Sequence, residues 1–197
     1  MASYRTRPIV ALETRRLLLK PLQETDAPRI QQLFPNLNVL RYINAAVPWP
    51  YPEDGAITFV RESLTRIESR EEYVWAIVRK GSEEEGLIGI ISLTPAAKVD
   101  SRGFWIGEEY WGKGYMKEAS TAVTDFAFTE LGMQELLLSN AEPNIASHRL
   151  KEAAGAEIIS IQPTDYVGGT FPGVRWRLSA EAWAQNRAKF IDSNPES

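Results

Sequence analysis

The chain has no cysteine, a single histidine (His148) and only three methionines in 197 residues. Without thiols there is no disulfide framework, no thiolate metal site and no cysteine nucleophile. With one imidazole, a metal would have to rest on carboxylates, and these are scattered as on a solvated surface, so no metal is expected. Excess positive charge is lacking too: 22 Lys and Arg stand against 26 Asp and Glu, a net charge of -4, which gives no electrostatic grip on nucleic acid. Long apolar runs are missing as well. MASYRTRPIV lacks the apolar stretch of a signal peptide, and nothing approaches the roughly 20 apolar residues that span a bilayer, so a cytoplasmic protein with no membrane partner is expected. No repeat, linker or low-complexity segment interrupts the chain. What is there, 44% hydrophobic and 24% charged residues, suits one globular domain over 1–197 with a real core, its ends flexible at about 1–8 and 190–197.

Periodicity orders the remainder. RRLLLKPL (15–22) reads as a first strand, after which Thr25 can cap a short helix reaching Phe34, with Ile30, Leu33 and Phe34 inward. Pro48, Pro50 and Pro52 break regular structure around Trp49 and Tyr51, and Ala56, Phe59, Val60, Leu64 and Ile67 then recur at helical spacing. YVWAIVR and GLIGIISL, parted by KGSEEEG, read as a hairpin of central strands that GFWIG continues. A helix is predicted from about Tyr115 to Leu131, with Ala119, Ala122, Val123 and Phe126 on its buried face and Gly132 as its stop. ELLLSNA follows as a strand. NIASHRLKEAAG then reads as a helix capped by Asn144 and ended by Gly155, burying Ala146, Leu150 and Ala154. Two strands near AEIISI and VRWRL precede a helical tail containing Trp183. Strand, helix and strand succeed one another from Gly103 to Ala141, so those two strands should run parallel while the hairpins around them are antiparallel. The fold class expected is α/β (α+β), a mixed and mostly antiparallel sheet flanked by helices, with one parallel central pair.

YWGKGYMKEAS, from Tyr110 to Ser120, sets Gly112 and Gly114 at the mouth of a helix. Successive backbone N–H groups of Gly112, Lys113, Gly114, Tyr115 and Met116 can face an anion there, and the helix dipole favours negative charge. Taken alone, the two glycines fit a plain tight turn equally well. The spacing GxxxxGK[ST] is absent and the sheet is rich in antiparallel pairs, which excludes a P-loop nucleotide enzyme. On the second motif, Asn144, Ser147, His148 and Lys151 share a polar face opposite Ala146, Leu150 and Ala154, and that face is expected to point away from the core. Asn144 suits an N-cap and Ser147 a hydrated helix surface. His148 lies about a third of a turn from Ser147 and is read as structural.

GFWIGEEYWGKGYMKEA followed by AEPNIASHRLKEAAGA resembles the cofactor site of GNAT acyltransferases, specifically the RimJ/RimL-type N-acetyltransferases. The likeness extends from ETRRLLLKPLQETDA to RWRLSAEAW. The superfamily usually has Gln or Arg in place of Trp111 and a small residue in place of Met116, while Trp111 is familiar in RimJ/RimL-type chains. The resemblance implies a GNAT domain whose parallel strands splay around the pantetheine of acetyl-CoA, with the pyrophosphate on the loop amides. It assigns Ile106, Trp111, Gly112, Lys113, Gly114, Tyr115, Met116, Asn144 and Ser147 to acetyl-CoA, and Ser147 also to protonating the departing thiolate. Glu108 is expected as general base, with Glu109 or a water-mediated base as alternatives. A backbone amide at the Ile106 to Glu108 strand end would steady the oxyanion in a direct transfer. Trp49 and Tyr51, the second helix and the DYVGGTFPG segment are expected to hold the amine acceptor. That acceptor is a protein N-terminal α-amine or a small amine such as an amino acid, amino sugar, polyamine or drug. A non-catalytic acyl-CoA-binding protein is the reading outside enzymes, and monomer and homodimer both stay open.

Overall fold

The computed structural model describes residues 4–192. In chain order the elements are β1 (Leu12–Glu13), β2 (Leu17–Pro21), α1 (Ala27–Leu33), α2 (Leu37–Leu40), α3 (Gly55–Glu68), β3 (Tyr73–Arg79), β4 (Leu87–Leu93), β5 (Phe104–Ile106), α4 (Tyr115–Asp125), β6 (Glu135–Ala141), α5 (Ile145–Ala153), β7 (Glu157–Tyr166), β8 (Gly169–Ser179) and α6 (Ala180–Asp192). The strands form two antiparallel sheets, one in the order β1-β2-β3-β4-β5 and one in the order β6-β8-β7.

The near-continuous apolar run of β3 exists because both faces of its sheet are covered. Tyr73, Trp75 and Ile77 join a core with Val123, Phe126 and Leu138, while Val74, Ala76 and Val78 join a second core with Ile30, Phe34, Ala56 and Val60 from α1 and α3. Alternation along one strand thus serves two cores.

The expected parallel pair takes the form of a divergence. β5 and β6 belong to different sheets, and the segments meet just before β5, where the Ser101 amide donates to Leu137 O at 2.6 Å and the Leu137 amide donates to Ser101 Oγ at 3.2 Å. Beyond that clasp no ladder joins the two sheets.

Local starts and stops differ from expectation at three places. Thr25 is not the cap of the first helix: the Asp26 carboxylate accepts from the Gln23 amide at 2.9 Å and from Lys20 Nζ at 2.6 Å, because a carboxylate at the helix mouth serves both a backbone donor and a nearby cation. The helix from Tyr115 is α-helical only to Asp125 and continues as a π-helical turn over Phe126–Glu130, before Gly132 ends it at φ 68°. That wider turn keeps Phe126, Ala127 and Leu131 in the core. The ends expected to be flexible lie partly outside the described residues. Among those that are described, the Arg5 amide donates to Leu131 O at 2.7 Å and Phe190 is buried, while Ile191 is exposed.

Gly89 of β4 fixes how closely β5 approaches. A Cβ there would sit on the Trp105 carbonyl oxygen and 2.9 Å from Ile106 Cα. Gly89→Ala is therefore expected to destabilise the fold by about 1–3 kcal/mol through overpacking, read as a lower urea midpoint at unchanged m-value.

Candidate active site

A cleft of about 440 Å³ opens where the sheets part, lined by β5 on one side and by the start of α5 on the other. Its walls include Phe104, Trp105, Ile106, Trp111, Gly112, Gly114, Tyr115, Met116, Asn144 and Ser147. The structure therefore brings together the loop and the α5 residues that the sequence marks out. Lys113 is the exception among them, its Nζ turned back to donate to Glu109 O at 2.9 Å.

The loop is shaped by its glycines. Gly112 and Gly114 both have φ 73°, a left-handed conformation that costs other L-residues roughly 1–2 kcal/mol, and a Cβ at Gly112 would meet nothing within 4 Å. The outer surface of the loop is thus open, at the N-terminus of an 11-residue helix. Trp111 pins the turn to the strand end by donating from Nε1 to Ile106 O at 2.9 Å. From behind, Arg16 donates to Lys113 O at 3.0 Å and pairs with Glu118 at 2.7 Å, and Glu118 also accepts from Thr14 Oγ1 and the Arg16 amide. Desolvation would raise the Glu118 carboxyl, but these donors together outweigh it and hold the group below its ordinary range.

The second motif corrects the expected orientation of α5. Ser147 and Lys151 are buried and Ala146 is exposed, whereas Leu150 packs partly covered against the core and Ala154 is buried in it as expected. The polar face turns inward because polar partners wait there. Lys151 Nζ lies 2.7 Å from Ser147 Oγ, and Asp100 and Arg102, from the segment before β5, act electrostatically on Lys151. Asp100 in turn accepts from Ser139 Oγ at 2.6 Å and from the Arg102 amide at 3.2 Å. Burial pushes the Asp100 carboxyl up, the Arg102 guanidinium down to about 10 and the Lys151 amine down to about 7. Asn144 caps α5 as expected, its Oδ1 accepting from the Ser147 amide at 3.2 Å. His148 packs edge-on to Trp176, ring centroids 4.7 Å apart, away from the cleft lining.

Three expectations are redirected. Glu108 is not among the cleft residues; its carboxylate accepts from Asn36 Nδ2 at 2.6 Å and Asn38 Nδ2 at 2.8 Å, and so braces α2 against the end of β5. The Gly107 amide, one of the strand-end donors, is used by Ile88 O at 2.9 Å. Trp49 and Tyr51 do not line the cleft either. Tyr51 packs on Phe34 with centroids 5.1 Å apart and covers Gly55, and its phenol is pushed up to about 12 by burial. Tyr51 thus closes the α1–α3 core, whereas Trp49 stays exposed.

In their place Val39, Tyr42 and Ile43 form the far wall of the cleft. Their segment is tied to the tip of the β7–β8 hairpin, where the Val167 amide donates to Ile43 O at 2.9 Å and the Gly168 amide to Arg41 O at 3.0 Å. Sequence reasoning missed them; their signal was the irregular stretch NVLRYIN beside the glycines of DYVGGTFPG.

A family model for the acetyltransferase (GNAT) domain matches residues 16–157. The chain belongs to the GNAT acetyltransferases. Among its relatives is YoaA of Bacillus subtilis, an uncharacterized N-acetyltransferase, 29% identical over 142 residues that cover 71% of this chain and 78% of YoaA. The FsC-acetyl coenzyme A-N(2)-transacetylase of Aspergillus fumigatus is 26% identical over 189 residues, covering 87% of this chain and 77% of that protein. The solved structure of RimL, a ribosomal L7/L12 alpha-N-protein acetyltransferase in complex with coenzyme A, matches with a TM-score of 0.73 at 15% identity, over 88% of this chain and 99% of that one. That last likeness is one of fold. The expectation of a GNAT-family N-acetyltransferase that uses acetyl-CoA is borne out at the level of the family.

The Glu118 brace carries a pH signature. Its lowered carboxyl contributes stability that is complete above the unfolded value of about 4.3 and is lost as the pH falls through the lower folded value. Glu118→Gln is expected to cost about 2 kcal/mol at pH 7 and progressively less on acidification below pH 4, measured by urea unfolding at several pH values.

Proposed function

We propose that the cleft holds acetyl-CoA in extended form and transfers its acetyl group directly to an amine entering past Tyr42 and Ile43. The observation that carries this reading is the continuity of one cleft from an open double-glycine helix N-terminus to Ser147. The loop amides suit a pyrophosphate, and Ile106, Asn144 and the parted strand edges suit the amide-bearing arm. Acetyl-CoA supplies the activated acyl carbon when bound. Ile106, on the cleft wall, offers the candidate strand-end amide for the acetyl oxygen, since that of Gly107 is engaged and Glu108 is outside the lining. The C–N bond forms as the C–S bond breaks. Ser147 gives its hydroxyl proton to the departing sulfur and is replenished by the proton that the amine sheds, so atoms and charge balance.

The acceptor is read as a protein N-terminal α-amine, in a cytoplasmic enzyme that needs no metal. Support comes from the fold shared with RimL and from the lack of a strong base in the cleft, because the carboxylate of Glu108 faces two asparagine amides. An α-amine at pH 7 is neutral in roughly one molecule in ten, against well under one lysine in a thousand, so it needs little help. A small-molecule amine is the second reading, favoured by the likeness to the FsC N(2)-transacetylase.

Short peptides carrying both a free N-terminus and an internal lysine, incubated with acetyl-CoA and read by mass spectrometry, are expected to be acetylated at the N-terminus. Preferential lysine acetylation at neutral pH would refute the α-amine reading. If small amines alone release thiol, the second reading replaces the first. Gly114→Val places a branched side chain at φ 73° and is expected to weaken acetyl-CoA binding about tenfold or more by calorimetry.

A further inference from the structure

Lys151 is 2% exposed, and Asp100 is the carboxylate that acts on it among the described residues. A buried ammonium is costly, and here one carboxylate, Asp100, acts on two cations, Lys151 and Arg102. Polar and aromatic groups from several elements face its side chain. Ser147 lies on its own helix, the Phe104 ring of β5 has its centroid 5.7 Å from Nζ, and Asp100 and Arg102 come from the segment before β5. Ser139 of β6 and Tyr166 of β7 face Asp100, and Thr124 of α4 accepts from Arg102.

We propose that Lys151 is a positioning residue for acetyl transfer, holding Ser147 Oγ from behind so that the Ser147 hydroxyl donates into the cleft at the departing sulfur. This rests on the reading of the cleft as the acetyl-transfer site. An ammonium has donors only, so a charged Lys151 forces Ser147 Oγ to act as acceptor at 2.7 Å and leaves the hydroxyl proton for the cleft. A neutral Lys151 has a lone pair beside its two N–H donors, so the Ser147 hydroxyl is free to donate to it and the proton is no longer reserved for the cleft. With the amine pushed down to about 7, the productive arrangement prevails below that pH and fades above it. The buried charge also sits one side chain behind the point where negative charge develops on sulfur, and favours the thiolate.

The test compares wild type with Lys151→Met, Ser147→Ala and the double variant, together with Lys151→Gln, which keeps a donor for Ser147 without the charge. Lys151→Met is expected to lower kcat about tenfold with little change in the KM for acetyl-CoA, and Ser147→Ala by about a hundredfold. The double variant should be no slower than Ser147→Ala. Wild-type kcat should break downward from the rise due to amine deprotonation near pH 7, and Lys151→Met and Lys151→Gln should lack that break. Lys151→Met should also be at least as stable as wild type at pH 7, whereas a merely structural lysine predicts a loss. Independently of any acceptor, the thiol of bound CoA, followed by ultraviolet thiolate absorbance, should titrate at higher pH in both Lys151 variants. Should Lys151→Met fail to fold, Lys151→Gln carries the same comparison. CoA bound with an unchanged thiol titration, or equal slowing by Lys151→Met in the presence and absence of the Ser147 hydroxyl, overturns the role of Lys151 and leaves acetyl transfer standing. Failure of the wild type to bind CoA removes the transfer reading itself, and the role of Lys151 with it.

Discussion

Ser101 and Leu137 clasp two sheets through a main-chain hydrogen bond, and the site depends on the strands separating just beyond it. Strands that part leave backbone donors and acceptors facing one another without partners, which is expensive in a dry interior. Such a gap favours an elongated ligand that carries its own amides, because that ligand restores the missing ladder. Gly89 sets the position of one edge, since β4 and β5 approach more closely than any side chain permits. Leu138 and Leu136 anchor the other in the core.

Two electrostatic arrangements bracket the gap and work in opposite senses. At the helix mouth, Arg16 and Glu118 form a nearly self-cancelling pair behind the loop, so the main-chain amides themselves provide the positive potential in front. Behind Ser147, the buried Asp100, Arg102 and Lys151 do not cancel. The first arrangement is an ordinary brace, a hydrogen-bonded carboxylate with a guanidinium fork. The second holds charge in low dielectric behind Ser147, where its effect on a neighbour is largest.

Much of this was legible in the sequence, for identifiable reasons. The alternation of β3 and β4, the glycines at 112 and 114 and the Asn144 cap are local signals, each set by residues within a few positions of one another. The orientation of α5 was not legible. Small apolar residues at helical spacing argue that Ala146, Leu150 and Ala154 face inward, which holds for Leu150 and Ala154, but Asp100 and Arg102, remote in sequence, draw Ser147 and Lys151 inward as well and leave Ala146 exposed. Glu108 and Tyr51 were misdirected for the same reason. Their partners Asn36, Asn38 and Phe34 come from α2 and the turn that leads into it from α1, whose packing no periodicity reveals. Tyr42 and Ile43 escaped because irregular segments carry no repeat to read.

The hydrogen bonds from Val167 and Gly168 to the 41–43 segment frame the far wall of the cleft, the proposed acceptor entrance, with main chain. Widening it requires breaking main-chain bonds to a hairpin, not rotating a side chain. The double-glycine loop and the 41–43 wall thereby rest on different elements, α4 and the hairpin between β7 and β8. Diversification of such a scaffold would run through turn geometry at 166–171 ahead of pocket chemistry, with new acceptors admitted by remodelling a backbone frame.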